Sequence, residues 1–385
     1  MKPSQEFARI MPEQLIPVTD INVRELAEIY EETDSYLSIY LPTASREEET
    51  MNETYLNTRI RAVEKAIEGK VKKEFHETLA IANEHLSMKP IPGEKGRIVM
   101  ASSAAGFLHV YRIGLVPERK FVLDTSPFLL PLAKLRDDFE DYALLLLDSQ
   151  QAKLFSVRSN IMKMEDADSI DLMNKHKKGG MSQMRFNRLR RGAINSFLDE
   201  VVRDIQGLEE LKDIRGLVVA GPGEAKKQLV EDLPQALREM VIGIQDIPMD
   251  TPMGDLLEMG EKIAEKDERE KEKIIMEEFR SSVMKGQPAA YGAQKVKIAL
   301  KNGRVNLLIV LANASIPGWI CERCQYIMER TAPPRKCPHC GGPTSEVDVI
   351  EELYELAERT GARTEFIKDS EFLKSIGGLG ALLRY

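Results

Sequence analysis

The chain has 385 residues, with 54 Lys and Arg against 62 Asp and Glu and a net charge of -8; this length exceeds what one core fills, and the charge excludes a protein that coats nucleic acid over its whole surface. Apolar residues make up 43% of it, ordinary for a globular protein, and no apolar run approaches the roughly 18 residues of a membrane helix. The opening MKPSQEFARIMPEQL lacks the charged-then-apolar build of a secretory signal, so a cytoplasmic protein without a membrane partner is expected.

In chain order, YLSIYLPT from Tyr36 to Thr43 reads as a buried strand closed by Pro42, and an acidic loop is expected at Arg46 to Thr50. Leu56, Ile60, Val63, Ile67 and Val71 recur at helical spacing within Met51 to Lys73, and Phe75 to Leu86 suggests a second helix before the turn MKPIPGEKG. Strands follow at Arg97 to Ala101, Phe107 to Ile113 and Lys120 to Leu123, completing an α+β unit near Asp141. A second unit opens with strands at Tyr142 to Asp148 and Ala152 to Arg158. Gly216 to Ala220 reads as a buried strand, followed by a Gly-Pro-Gly turn and a helix, so this unit is a layered α/β domain. The turn GPGE at Gly221 to Glu224 lacks a Walker lysine-serine pair and a full G-x-G-x-x-G, and is expected to be structural.

Between Asp171 and Asp199 this acidic chain contains no carboxylate. Lys175, Lys177, Lys178, Arg185, Arg188, Arg190 and Arg191 cluster there, with His176 among them. Gathering such charge without counter-ions is costly by self-repulsion unless a polyanion compensates, and RNA is the obvious one. Gly179 and Gly180 give a tip without Cβ atoms, able to approach another backbone closely. After it Phe186, Leu189, Ala193, Phe197 and Val201 share one helical face, which would dock the segment on the second domain. The bland alternative is a surface loop that binds nothing in particular.

Asp255 to Val283 is densely charged, with apolar residues at helical spacing, and is expected to be one long or broken helix with a solvated face. The third unit reads as a helix at Ala289 to Lys301, the strand VNLLIVL, a cysteine cluster, a helix at Val347 to Arg359 and a strand near Thr364 to Ile367. All four cysteines of the chain fall in the cluster, Cys321, Cys324, Cys337 and Cys340, as C-x2-C-x12-C-x2-C. Two such knuckles can close a tetrahedral thiolate site, and a structural zinc ion with no position left open for catalysis is expected, the alternative being degenerate, metal-free thiols. His339 reads as a surface residue inside the second knuckle. With five histidines in all, no Ser-His-Asp, Cys-His or paired-carboxylate arrangement emerges.

KHKKGGMSQMRF resembles the Lys-His-x-x-Gly-Gly-Gln-Ser-x-x-Arg-Phe signature of the archaeal and eukaryotic class-1 peptide chain release factors, matching at Lys175, His176, Gly179, Gly180, Ser182, Arg185 and Phe186. GLVVAGPGEAKKQL, PAAYGAQKVKIAL and the ending IGGLGALLRY are similar to later segments of that family, in its order. The resemblance implies an α/β and α+β, three-domain architecture. Residues 1–140 would form a decoding-like domain, 141–265 the loop-bearing domain, and 266–385 a C-terminal domain with a zinc ribbon at about 317–345.

Two departures stand out. Where the family has its Asn-Ile-Lys-Ser stop-codon motif this chain reads MNETYLNTR, and of the Tyr-x-Cys-x-x-x-Phe motif only Phe128 remains. Met181 replaces the loop glutamine, with Gln183 two residues on. In the family the loop enters the ribosomal peptidyl transferase centre. There the glutamine N-H acts as an oxyanion-type donor.

The resemblance therefore implies a ribosome-dependent peptidyl-tRNA hydrolase, acting on stalled or vacant-A-site ribosomes without ordinary stop-codon reading. Gly179 and Gly180 would shape the loop, Met181 supply the donor, Gln183 orient water, and the cations with His176 hold RNA. The competing readings are a non-catalytic ribosome-binding factor in hibernation, subunit splitting or quality control, and an ordinary termination factor. Implied partners are rRNA, peptidyl-tRNA and a translational GTPase of the elongation-factor-1-alpha type, with the protein itself a monomer.

Overall fold

The structure is a computed structural model that describes residues 14–31, 33, 35–139, 141–164, 195–203, 205–206, 214–321, 323–324, 326–329 and 332–385. It divides into two compact units, one built from residues 1–138 together with 272–385 and the other from 139–271. Among the described residues no helix is long and apolar enough to cross a membrane.

The first part of unit one is an antiparallel sheet of β1 (Tyr36–Pro42), β2 (Gly96–Ser102), β3 (Phe107–Ile113) and β4 (Lys120–Asp124), ordered β3-β2-β1-β4. Every residue of β1 and β2 is buried because both sheet faces are covered, so these strands read as apolar runs rather than alternations. Leu37, Ile39, Val99 and Phe121 face α2 (Arg46–Ala66) and α3 (Gly69–Leu86). Tyr36, Tyr40, Ile98 and Phe107 face the other way, into a core shared with α1 (Val23–Ala27) and α4 (Leu130–Asp138).

Two local expectations fail here. The run Arg46 to Thr50 is not a loop but the first turn of α2. Ser45 caps it by accepting from the Glu48 N-H at 3.2 Å, and Glu47, Glu48 and Glu49 sit at the positive end of the helix dipole. The helix expected through Lys73 instead breaks after Ala66, where Ile67 is extended and Gly69 takes φ +59°. The apolar spacing continues across the break because both helices lie on the same sheet face.

The second part of unit one is a sheet ordered β10-β16-β11-β15, from β10 (Ala289–Tyr291), β11 (Val305–Leu311), β15 (Arg363–Ile367) and β16 (Leu379–Leu383). β11 runs parallel to β15 and antiparallel to β16. The helix expected from Ala289 opens instead as β10, paired with the last strand of the chain. Gly292 at φ +78° then turns it into α9 (Ala293–Lys301). The other expected helix starts two residues late, at α10 (Val349–Thr360), because Val347 belongs to β14 (Thr344–Asp348) and Asp348 accepts from Ile350 N-H at 3.0 Å.

One core runs through both parts, joining Tyr40, Ile98 and Leu132 to Val296, Leu353 and Phe366. Polar bonds reinforce it. Both carboxyl oxygens of the buried Glu351 accept backbone N-H groups at the entry to α4, from Leu129 just before it at 2.6 Å and from Leu130 at 3.0 Å. One turn on, Glu355 accepts from Ser126 Oγ at 3.1 Å and pairs with Arg359 at 3.2 Å. Burial pushes Glu355 up to about 7, against the pull of Arg359 and Ser126 and with a push from Asp124. Burial, and then Glu355, raise Glu351 as well.

A carboxyl whose pKa is raised on folding stabilises the fold below its unfolded value and ceases to as pH climbs through the folded value. The urea midpoint of unit one is therefore expected to fall between pH 5 and pH 8. Glu355→Gln, which cannot ionise, flattens that decline; an equally steep decline in the variant contradicts the assignment.

Unit two is a five-stranded sheet ordered β7-β6-β5-β8-β9, from β5 (Tyr142–Leu147), β6 (Ala152–Arg158), β7 (Ile161–Met164), β8 (Gly216–Ala220) and β9 (Val241–Gln245). β5, β8 and β9 are parallel, as strands joined through helices should be. Leu145, Leu147 and Val219 pack on the helical residues 195–203 (α5) and on α6 (Ala225–Asp232), which is followed by α7 (Gln235–Glu239). Leu144, Leu146 and Val218 pack on α8 (Met253–Lys285). This helix is a single one of 33 residues, resolving the choice between long and broken. The GPGE turn, expected to be structural, is tightly packed. Gly221 holds φ +143° with its Cα against the Leu147 carbonyl, where a Cβ has no room, and the buried Lys226 amine donates to the Gly223 carbonyl and to Asp246, each at 2.5 Å.

Candidate functional site

The described residues bring one group of chemically competent side chains together, the four cysteines. β12 (Pro317–Cys321) is flanked by β13 (Ile327–Glu329) and β14 in a three-stranded ribbon, and Cys321 is its last residue. Cys321 N-H donates to the Tyr326 carbonyl at 2.8 Å and Cys337 N-H to the Gly342 carbonyl at 2.8 Å, so each knuckle folds back on itself. Gly342 passes so close to the first knuckle that a Cβ there would press on the Arg323 Cβ and lie against the Cys340 and Cys321 sulfurs. A hairpin return brings the second knuckle against the first, as the C-x12-C spacing allows.

The Cys321 and Cys340 sulfurs lie 3.4 Å apart, those of Cys324 and Cys337 3.8 Å, and all four within 4.8 Å of one another. A tetrahedral zinc with bonds of about 2.3 Å needs sulfurs about 3.8 Å apart. The donor set fits such an ion. Two backbone N-H groups already point at sulfur, Cys324 to Cys321 at 3.5 Å and His339 to Cys337 at 3.4 Å. Burial opposes ionisation of Cys321, yet the N-H groups of Cys324 and Arg323 and the thiols of Cys340 and Cys324 hold it down to about 6. Desolvation, and then the thiol of Cys340, push Cys324 up to about 12.

His339 is exposed and its ring stacks on Tyr326 at 4.0 Å, as a surface residue and not a ligand. Beneath the sulfurs lie Trp319 and Tyr326, ring centroids 5.7 Å apart. Two contributors from α9, Gln294 and Lys297, were not anticipated. Gln294 Nε2 donates to the Ile327 carbonyl at 2.9 Å, and Lys297 Nζ lies 5.4 Å from the centre of the Tyr326 ring. They precede the first cysteine by more than twenty positions, too far for any spacing rule to connect them.

Gly179, Gly180, Met181 and Gln183 lie outside the described residues, as do Lys175, His176, Lys177, Lys178, Arg185, Arg188, Arg190 and Arg191. Of the helical face expected after the tip, Phe197 and Val201 are described, and both are buried in the core of unit two. Phe186, Leu189 and Ala193 lie outside the described residues.

Residues 127–265 match the family described as Bacterial archaeo-eukaryotic release factor family 10, and residues 270–385 match eRF1 domain 3. Among curated proteins, peptide chain release factor subunit 1 of Thermoplasma acidophilum is 31% identical, over 68% of this chain and 68% of its own length. The protein of that name from Thermococcus onnurineus is 26% identical, over 94% of this chain and 97% of its own. Among solved structures, a ribosome-bound archaeal Pelota with ABCE1 is similar over 75% of this chain and 77% of its own at 17% identity, with a TM-score of 0.42.

Proposed function

The chain belongs to the archaeo-eukaryotic peptide chain release factor family, and from that premise we propose that it acts on the ribosome, hydrolysing peptidyl-tRNA on stalled or vacant-A-site ribosomes without reading a stop codon. The observation that carries this reading is the carboxylate-free, diglycine-tipped segment between Asp171 and Asp199 of an otherwise acidic chain. Its cations, Lys175, Lys177, Lys178, Arg185, Arg188, Arg190 and Arg191, and His176 beside them, meet rRNA phosphates. Gly179 and Gly180 let the tip pass close to RNA and to the acceptor end of tRNA. The backbone N-H of Met181 donates to the oxyanion that forms when water attacks the ester carbonyl, a role that the side chain does not enter. Gln183 supplies the amide lost at 181 and orients that water. His176 is an RNA contact and not a base.

The loop-bearing domain is assigned to residues 141–265, between a decoding-like domain at 1–140 and a third domain at 266–385. The third domain is where a translational GTPase of the elongation-factor-1-alpha type would dock. The cysteine cluster is assigned to a structural zinc ion, supported by the sulfur spacing and by N-H donors aimed at two of the sulfurs. Its ligands leave no open position, so the ion takes no part in the hydrolysis.

The replacement of the glutamine by Met181 favours a second reading, in which the loop only anchors the protein to an idle or dividing ribosome. Purified ribosomes carrying peptidyl-tRNA, with and without a stop codon in the A site, separate the two. Peptide release from both complexes, lowered at least about a hundredfold by Gly179→Ala and less by Gln183→Ala, is the expected result. Release from neither complex leaves only the anchoring reading, and release confined to stop codons restores ordinary termination.

A further inference from the structure

Four thiolates around one divalent cation carry two net negative charges. Two of the sulfurs belong to buried residues, Cys321 and Cys337, and burying charge is costly unless something compensates it. Two backbone N-H groups contribute. Arg323 reaches the Cys340 carbonyl at 3.5 Å, but it is exposed, and water screens its charge.

A better-placed cation comes from outside the ribbon. Lys297 is 6% exposed, on the face of α9 that meets the ribbon. Gln294, one turn earlier, fixes that face to β13 by its bond to the Ile327 carbonyl at 2.9 Å. Lys297 Nζ sits 5.4 Å over the ring of Tyr326, the residue whose carbonyl accepts the Cys321 N-H and which lies two positions from Cys324. A buried ammonium on an aromatic face keeps part of its charge stabilised, and its field is little screened there. Burial, and then Lys301, push Lys297 down to about 8, against the smaller pulls of Glu352 of α10 and of Cys324; it is still mostly charged at neutral pH.

We propose that Lys297 is the counter-charge of the tetrathiolate metal centre, a positioning residue that ties metal retention in the ribbon to the docking of α9. This rests on the zinc assignment above. Lys297 makes no bond to the metal; its positive charge lowers the energy of the bound thiolates and so slows their protonation and the loss of the ion. The competing role is a structural one, in which the ammonium answers only to Glu352.

The test uses the full-length protein and zinc itself, in competition with a chromogenic chelator, on wild type, Lys297→Met, Lys297→Arg and Glu352→Gln. Loss of an outer partner of a metal ligand typically costs about 10- to 100-fold in affinity, and that loss is expected for Lys297→Met. Arginine, which keeps the charge, should restore most of that affinity, and Glu352→Gln, which removes only a partner of the ammonium, should lower it less than Lys297→Met does. In cobalt-substituted protein, the thiolate-to-metal charge-transfer band of Lys297→Met should move to lower energy, a change that a loosened helix would not produce. Lys297→Gln, which keeps a polar side chain, repeats both measurements should the methionine variant fail to fold. Neutral variants that hold zinc within about twofold of wild type, with the band in place, overturn the inference and leave the zinc assignment intact. A wild-type protein with less than about half an equivalent of zinc overturns both.

Discussion

Stripping zinc from the protein with a chelator should unfold the ribbon while leaving both larger sheets folded. The reason is the size of the ribbon's own core: Trp319, Cys321 and Cys337 are its buried members, with Tyr326, Met328 and Cys340 packed around them. Half of that small cluster is cysteine, so without the ion there is little apolar surface to hold three short strands together. A structural zinc contributes on the order of 10 kcal/mol or more to such units, far above what those side chains supply. Trp319 is the single tryptophan of the chain and 3% exposed, so its emission should shift to the red as the metal leaves. Cys321→Ser should show the shift without chelator, and His339→Ala should not. Trp319 emission that stays unchanged after the metal is removed would contradict the assignment.

A second large effect is expected at Glu94. Its carboxylate is shared by two arginines: Oε1 accepts from Arg97 Nε at 2.7 Å and Oε2 from Arg112 Nη1 at 3.0 Å. Arg97 is 2% exposed and also donates to the carbonyls of His85 at 2.8 Å and Met88 at 2.7 Å, tying the end of α3 to the start of β2. Glu94→Ala leaves a buried guanidinium without its anion, a change that typically costs about 3 to 5 kcal/mol. The double variant Glu94→Leu with Arg97→Met should lose less than the sum of its parts, since no orphan charge remains at 97. Urea denaturation measures both; a loss below about 1 kcal/mol for Glu94→Ala would place the pair with ordinary surface ion pairs.

Much of this fold was legible in the residues. β1, β3, β5, β6, β8 and β11 fall where apolar runs place them, since each is covered on both faces and carries its signal in its own residues. The cysteine cluster was legible for a similar reason: a knuckle is a local spacing, and the return between two knuckles needs only a hairpin. What escaped depends on distant partners. Ala289–Tyr291 has the composition of a helix start and becomes a strand because Gly380–Leu382, some ninety residues later, offers an edge. The break at Ile67 to Gly69 hides behind unbroken apolar spacing. The N-cap Ser45 and the glutamates behind it, by contrast, were written in the sequence and read as a loop because the run is so acidic. Lys297 looks like any surface lysine until α9 is placed on the ribbon.

The core of unit one has a consequence for how the protein is made. The face of the first sheet that packs on α2 and α3 draws only on residues between Leu37 and Leu123, and can close soon after they leave the ribosome. The core on the opposite face, with Tyr36, Tyr40, Ile98 and Phe107, gains α1 and α4 early but is completed only by Val296, Leu353 and Phe366. At about 5 to 20 residues per second, that completion comes on the order of ten seconds or longer after the first sheet is made, with part of the shared core open while the whole of unit two emerges. Slowed translation or a truncated message should therefore leave an intermediate that is sticky on one side, and this protein should depend on chaperones during synthesis more than its finished stability suggests.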